Sequence, residues 1–239
     1  MRQDHKTRPL AFFYRAPSPF FDRLAAEVAT LRLPLFPYPV ETQDPFALLP
    51  CLKPLGLAGA VLAEAIPLPK ESAGLFLEAE ARGVGLVDLL VPRVGGVAGQ
   101  YTEGVALERF LSLHFPGARG LWLGPLRPSL APFLRPLGQV SVAAPSFVEG
   151  DSFLARLPER ARGHVALRPE EARALSLRAD LLLYAGGRIN LDYLQPFHAL
   201  VALSPVDLWV WERVQVVYSP EDLLGFRVRA VLEGLGYPL

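Results

Sequence analysis

Two side chains in this sequence have the types and setting for proton transfer. Lys70 follows a strand-like run, Gly59-Ala60-Val61-Leu62-Ala63-Glu64-Ala65-Ile66, and the turn Pro67-Leu68-Pro69. It is one of only three lysines, against 21 arginines. About thirty residues on, Gly99-Gln100-Tyr101-Thr102-Glu103-Gly104 supplies a carboxylate at another turn, where a fold could return it to that amine. A hydroxyl that becomes a carbonyl must lose a proton, and an amine within hydrogen-bond reach of the oxygen can serve as acid or base. A neighbouring carboxylate would hold the amine and set its charge state.

The elements that must position this pair follow from the apolar pattern. Pro9–Tyr14 reads as a short buried strand ending at Ala16-Pro17-Ser18-Pro19. Ser18 can cap a helix with Pro19 at its first position and Phe20, Leu24, Val28 and Leu31 along one stripe. Leu35–Glu41, with alternating prolines, reads as an edge strand, and Asp44-Pro45 as the start of a helix. Ala60–Ile66 is a third strand, Lys70–Ala81 a helix, and Val87–Val91 with Val97–Thr102 a hairpin around Gly95-Gly96. Glu103–Phe115 reads as a connecting helix. A second alternation follows: strand Leu121–Leu123, helix near Ser129–Leu137, strand Val140–Ala143, helices within Phe147–Leu175, and strands Leu181–Tyr184, Leu200–Leu203 and Val214–Val217. Ser219 caps a last helix. Alternating strands and helices predict a two-domain α/β protein with parallel sheets, divided into residues 1–104 and 105–239.

Whole-chain properties narrow the functions. The 24 basic and 24 acidic residues cancel, so no net field gathers nucleic acid or anionic lipid. Cys51 stands alone and cannot close an internal disulfide, and no secretion-type leader follows Met1, which makes a cytoplasmic protein the expectation. Polar breaks at Pro196, His198, Pro205 and Asp207 argue against a membrane span in Tyr193–Trp211. His114, His164 and His198 share no metal-ligand spacing, so no metal site is expected. A single asparagine, Asn190, and 24 prolines fit a thermophile.

Laid out this way, the chain resembles the shikimate dehydrogenase family, and more closely in its first 110 residues than beyond them. The resemblance implies an N-terminal substrate-binding α/β domain, a C-terminal Rossmann-like domain that binds NADP, and a last helix returning to the first domain. Arg15-Ala16-Pro17-Ser18-Pro19 is similar to the family's Ser-x-Ser-Pro, with Ser18 on the second serine. Ile66-Pro67-Leu68-Pro69-Lys70-Glu71 resembles Ile-Pro-x-Lys-Glu, which puts Lys70 on the catalytic lysine. Gly83–Leu89 resembles Gly-Ala-Val-Asn-Thr with Asp88 in place of the substrate-binding asparagine. Gly99–Gly104 resembles Gly-x-Asn-Thr-Asp-Gly, placing Glu103 on the catalytic aspartate and Thr102 among the substrate-binding residues.

The departures matter as much. Glu103 reaches about 1.5 Å further than aspartate, and a misplacement of about 1 Å can cost on the order of 100-fold. Asp88, if ionised, accepts only and would repel an anion such as shikimate, so it suits a ligand lacking a carboxylate or bearing an amine. Asp88 has no evident structural purpose on an apolar strand, and Lys70 is its expected partner. Ser18 and Glu103 each have a plainer reading, as helix cap and as helix N-terminal carboxylate. At the cofactor end, Leu121-Trp122-Leu123-Gly124 runs into Pro125-Leu126-Arg127-Pro128-Ser129 where the family has Gly-Ala-Gly-Gly-Ala-Gly, and only Gly124 is kept. Two prolines remove amide donors. No Asn-Arg-Thr follows Ala143, and Tyr184-Ala185-Gly186 replaces a later Asn-x-Thr.

The expectation is therefore a protein without standard NADP-dependent activity that binds a small-molecule ligand in the cleft around Ser18, Lys70, Asp88 and Glu103. No cofactor is expected, and neither nucleic acid nor membrane is a partner, while a homodimer is allowed. The rival is an NADP-dependent shikimate/quinate-type oxidoreductase with a Lys70/Glu103 dyad. A third reading is an interaction module. Trp209 and Trp211 alternate as on a strand face or an interface.

Overall fold

In a computed structural model, residues 7–69 and 74–239 are described. The chain divides into two compact units, Met1–Ala106 with Arg227–Leu239, and Leu107–Phe226.

The first unit begins with β1 (Arg8–Tyr14), α1 (Pro19–Thr30), β2 (Leu35–Glu41) and, after a 3-10 turn at Pro45–Cys51, β3 (Gly59–Pro67). β4 (Leu75–Leu77), α2 (Ala79–Val84), β5 (Leu86–Arg93) and β6 (Gly96–Gln100) follow. The sheet order is β2-β1-β3-β5-β6-β4. β1 runs parallel to β2 and β3, whereas β5 is antiparallel to β3 and β6. The proline-bearing β2 is an edge strand, where missing amides cost no ladder bond. Ser18 caps α1 in extended backbone, its hydroxyl accepting from the Phe20 amide, and the stripe Phe20, Leu24 and Val28 is buried. Phe20 meets Phe12 edge-on with ring centres 5.5 Å apart. Burying such side chains stabilises by roughly 1.5–3 kcal/mol each.

Two expectations in this unit need correction. The segment opening at Asp44-Pro45 is a 3-10 turn, because the interior Pro50 has no amide with which to continue an α-helix. Of the helix expected over Lys70–Ala81, the first four residues lie outside the described residues. Leu75–Leu77 pairs in parallel with Val97, Ala98 and Gly99, and among the described residues of this segment helix is found only from Ala79. A sheet edge in need of a partner outweighed local helix preference.

The connecting helix α3 (Thr102–His114) leads into β7 (Arg119–Leu123), and a 3-10 turn at Ala131–Leu134 precedes β8 (Gln139–Ala143). Next come α4 (Phe147–Leu154), β9 (Arg162–Ala166), α5 (Pro169–Ser176), β10 (Leu181–Tyr184), β11 (Ala199–Ala202), α6 (Leu208–Trp211), β12 (Val216–Tyr218) and α7 (Pro220–Gly234). Every pairing in the second sheet is parallel, in the order β12-β11-β10-β7-β8-β9. Counted from β7, this is the doubly wound order with its reversal between β7 and β10, where open α/β sheets bind ligands. The helix expected near Ser129–Leu137 is reduced to four residues of 3-10 turn. β9 was not foreseen, and Trp209 with Trp211 lies on the one-turn α6, not on a strand. The last helix, α7, starts in the second unit and ends in the first. Among the described residues no helix is long and apolar enough to cross a membrane.

Candidate functional site

The site in the first unit is organised by Asp88. On β5, one residue beyond the apolar Val87, it is wholly buried. Its Oδ1 accepts from the Thr102 amide at 2.6 Å, and its Oδ2 from the Glu103 amide at 2.8 Å. The start of a helix leaves several amides without partners, and a carboxylate there satisfies two of them while complementing the helix dipole. Asp88 thus caps α3 from another strand. Arg227 of α7 completes the arrangement, its Nη2 lying 3.2 Å from Asp88 Oδ2. The same guanidinium donates to the Leu62 and Ala63 carbonyls, in the stretch where the register of β3 on β5 shifts, and lies 4.2 Å from the centre of the Phe20 ring.

Asp88 therefore has a structural purpose that the sequence reading denied it. Its visible charged partner is Arg227; Lys70, the partner expected from sequence, lies outside the described residues. Burial pushes the Asp88 carboxyl up from the ordinary aspartate range, against the opposing pull of Arg227 and the two amides. Arg227 was missed altogether. The available signal was an arginine preceding the apolar Val228, Ala230, Val231 and Leu232 of α7, a place where a charge needs a buried partner.

The other expected residues connect to this centre. Thr102 is 2% exposed; its amide is bound to Asp88, and its Oγ1 finds no hydrogen-bond partner among the described residues, as is also true of Arg227 Nε. Glu103, half-buried in the first turn of α3, accepts from the Tyr101 hydroxyl at 3.4 Å. Ser18 joins through Phe20, whose amide it accepts and whose ring carries Arg227. A chain of contacts thus runs from Ser18 through Phe20, Arg227 and Asp88 to Glu103. Ser18 also lines a cavity of about 140 Å³ with Tyr14, Arg15, Thr42 and Glu64, and a second of about 390 Å³ with Phe12, Phe21 and Asp22. Chemically, this arrangement offers a carboxylate at a helix start that can hold a cation or take a proton, and hydroxyl groups that can bind a polar ligand. Among the described residues no group of three or more histidine, cysteine, aspartate or glutamate side chains could hold a metal ion.

In the second unit, the reversal between β7 and β10 is where a dinucleotide would lie, and its residues do not fit one. Gly124 has φ +92°, and a side chain there would run into the Gly186 carbonyl. The Ala185 amide donates to Leu123 O at 2.8 Å, so the backbone after β10 is stitched to the end of β7. Trp122, fully buried, donates from its indole to the Pro125 carbonyl at 3.0 Å. A diphosphate needs free amides on a glycine-rich turn and the N-terminus of a following helix. Here Pro125, Pro128 and Pro132 have no amide to give, and among the described residues only the four-residue 3-10 turn stands between β7 and β8. After β10, the Tyr184 hydroxyl donates to its own turn, at Gly187 O.

No protein-family model and no curated protein matches this sequence. Solved structures do match. A shikimate 5-dehydrogenase from Listeria monocytogenes, in complex with shikimate and NAD, superposes with a TM-score of 0.74 at 14% identity, over 98% of this chain and 93% of that one. The chain has the shikimate dehydrogenase fold. A quinate dehydrogenase from Corynebacterium glutamicum in complex with NAD gives a TM-score of 0.73 at 15% identity, covering 96% of this chain and 94% of that one. The ligand-free 5-ketofructose reductase of Gluconobacter sp. strain CHM43 gives 0.75 at 14%, covering 96% and 93%. Proteins sharing this fold thus differ in the substrates their names carry, so the reading of function has to come from the site.

Proposed function

We propose that this chain is a shikimate dehydrogenase-like protein that binds a small polar metabolite through Ser18, Thr102 and Glu103, without standard NADP-dependent activity. Lys70 is the amine the motif supplies. Asp88 and Arg227 hold the first turn of α3 that presents Thr102 and Glu103. The observation carrying this reading is the segment after β7, where Gly124 packs on Gly186 and prolines replace amide donors. Pro125, Pro128 and Pro132 stand where a diphosphate would look for amide donors, which supports this reading. A thermal-shift screen of polyols, hydroxycarboxylates and amino compounds, run without nucleotide, tests the reading. A rise in Tm with a metabolite alone is expected, lost on Glu103→Gln with Ser18→Ala; silence across the screen contradicts it.

A second reading, an NADP-dependent shikimate/quinate-type oxidoreductase with a Lys70/Glu103 dyad, is favoured by the likeness to dehydrogenases solved with NAD. It requires nucleotide-dependent turnover of shikimate or quinate, followed by nicotinamide absorbance.

A further inference from the structure

The smaller cavity beside Ser18 carries two opposite charges that the arrangement around Asp88 does not use. β1 and β3 pair in parallel up to Phe13 with Leu62, and two residues beyond these come Arg15, just past the end of β1, and Glu64, still on β3. All four line the cavity of about 140 Å³. Among the described residues no ion pair joins Arg15, in the bend just after β1, to Glu64 on the neighbouring β3. Both side chains are exposed to whatever enters the cavity.

The donors and acceptors around them divide by position. Arg15 spends one N–H on the Gln43 carbonyl at 3.3 Å, which orients the guanidinium and leaves most of its donors unspent. The Ser18 hydroxyl accepts from Phe20 N and the Thr42 hydroxyl from Asp44 N, so each keeps its O–H to donate. These groups together suit a carboxylate. Glu64 can only accept when ionised, and it suits an ammonium. A plain anion gains Arg15 but meets Glu64, and a plain cation meets the reverse; only a ligand bearing both charges a few atoms apart satisfies both side chains at once.

We infer that the Ser18 cavity takes a small zwitterion of the α-amino acid class, with its carboxylate on Arg15 and Ser18 and its ammonium on Glu64. This rests on the proposal that the first unit binds a small polar metabolite, and names the ligand's chemistry. The cavity has room for a compact molecule and none for a nucleotide.

Isothermal titration of the full chain with the common amino acids, one at a time, identifies the best binder, which is then compared with its α-hydroxy acid counterpart, a molecule that differs only in amine against hydroxyl. The amino acid is expected to bind at least about 10-fold more tightly, a difference of about 1.4 kcal/mol. Glu64→Gln should abolish that preference, and Arg15→Gln should weaken both ligands. Both positions are exposed, so unchanged thermal unfolding of the variants is expected. If the hydroxy acid binds equally well, or Glu64→Gln leaves the preference intact, the zwitterion inference falls while metabolite binding stands. If amino acids, hydroxy acids, shikimate and quinate are all silent, both fall.

Discussion

Asp88 and Arg227 lie 139 residues apart in sequence and meet at 3.2 Å, the carboxylate wholly buried and the guanidinium side chain 12% exposed. Through that contact one strand residue holds the start of α3 and the second half of α7, the two helices by which the chain leaves the first unit and returns to it. The first turn of α3 carries Thr102 and Glu103, so their placement rests on a carboxylate that need not touch a ligand itself.

Removing both members of this pair should cost less than the two single removals added together. Asp88→Ala leaves the Arg227 charge without its carboxylate and two α3 amides unsatisfied, with an expected loss of about 3 kcal/mol. Arg227→Met strands the buried carboxylate to a similar extent. The double variant should lose clearly less than the sum, which a double-mutant cycle by urea unfolding measures. Strict additivity would mean that the two side chains act independently.

Gly124→Ala tests how the turn after β7 is closed. The added methyl meets the Gly186 carbonyl in a backbone conformation that L-residues avoid, so a loss of about 1–3 kcal/mol is expected in thermal or urea unfolding. A neutral substitution would mean that the two turns stand apart.

His198 supplies a pH dependence. It is fully buried, with Nδ1 accepting from the Gln195 amide and Nε2 bonded to the Ser176 carbonyl. Burial holds its pKa below the ordinary histidine value of 6.5, outweighing the Ser176 carbonyl and Asp180, which favour the charged form. The unfolded chain then takes up the proton first, so stability is full above pH 6.5 and is lost as pH falls from there through the lower folded-state value. Urea midpoints measured between about pH 5 and pH 8 should fall on the acid side, and His198→Gln should flatten that slope.

Much of the frame was legible in the sequence because it is written in local signals. Ser18 with Pro19 marks the start of α1, prolines mark β2 as an edge, and Leu181–Tyr184 is a short apolar run that is buried throughout. What escaped depends on partners distant in sequence. β9 is a weakly patterned edge strand whose Gly163 sits close against Ser141 and Val140 of β8. Leu75–Leu77 becomes a strand because β6 has an open side. Asp88 stands out as a charge on an apolar strand, but its partner comes from the far end of the chain; the apolar run after Arg227 marks a charge in need of a buried partner without saying which carboxylate supplies it. The altered turn after Gly124 was visible directly; that Gly186 closes against it was not, since it takes the parallel pairing of β7 with β10 to bring the two glycines together.

The central claim, that the turn after β7 does not seat a dinucleotide, is tested most directly by titrating NADP and NAD separately into the full chain and following thermal unfolding. A ligand at 100 times its Kd would stabilise the fold by about 2.7 kcal/mol, a readily measured rise in Tm. Unchanged Tm at millimolar concentration of either nucleotide is the predicted result. A saturable rise with either one, diminished by Gly124→Ala, would contradict the account and restore the oxidoreductase reading.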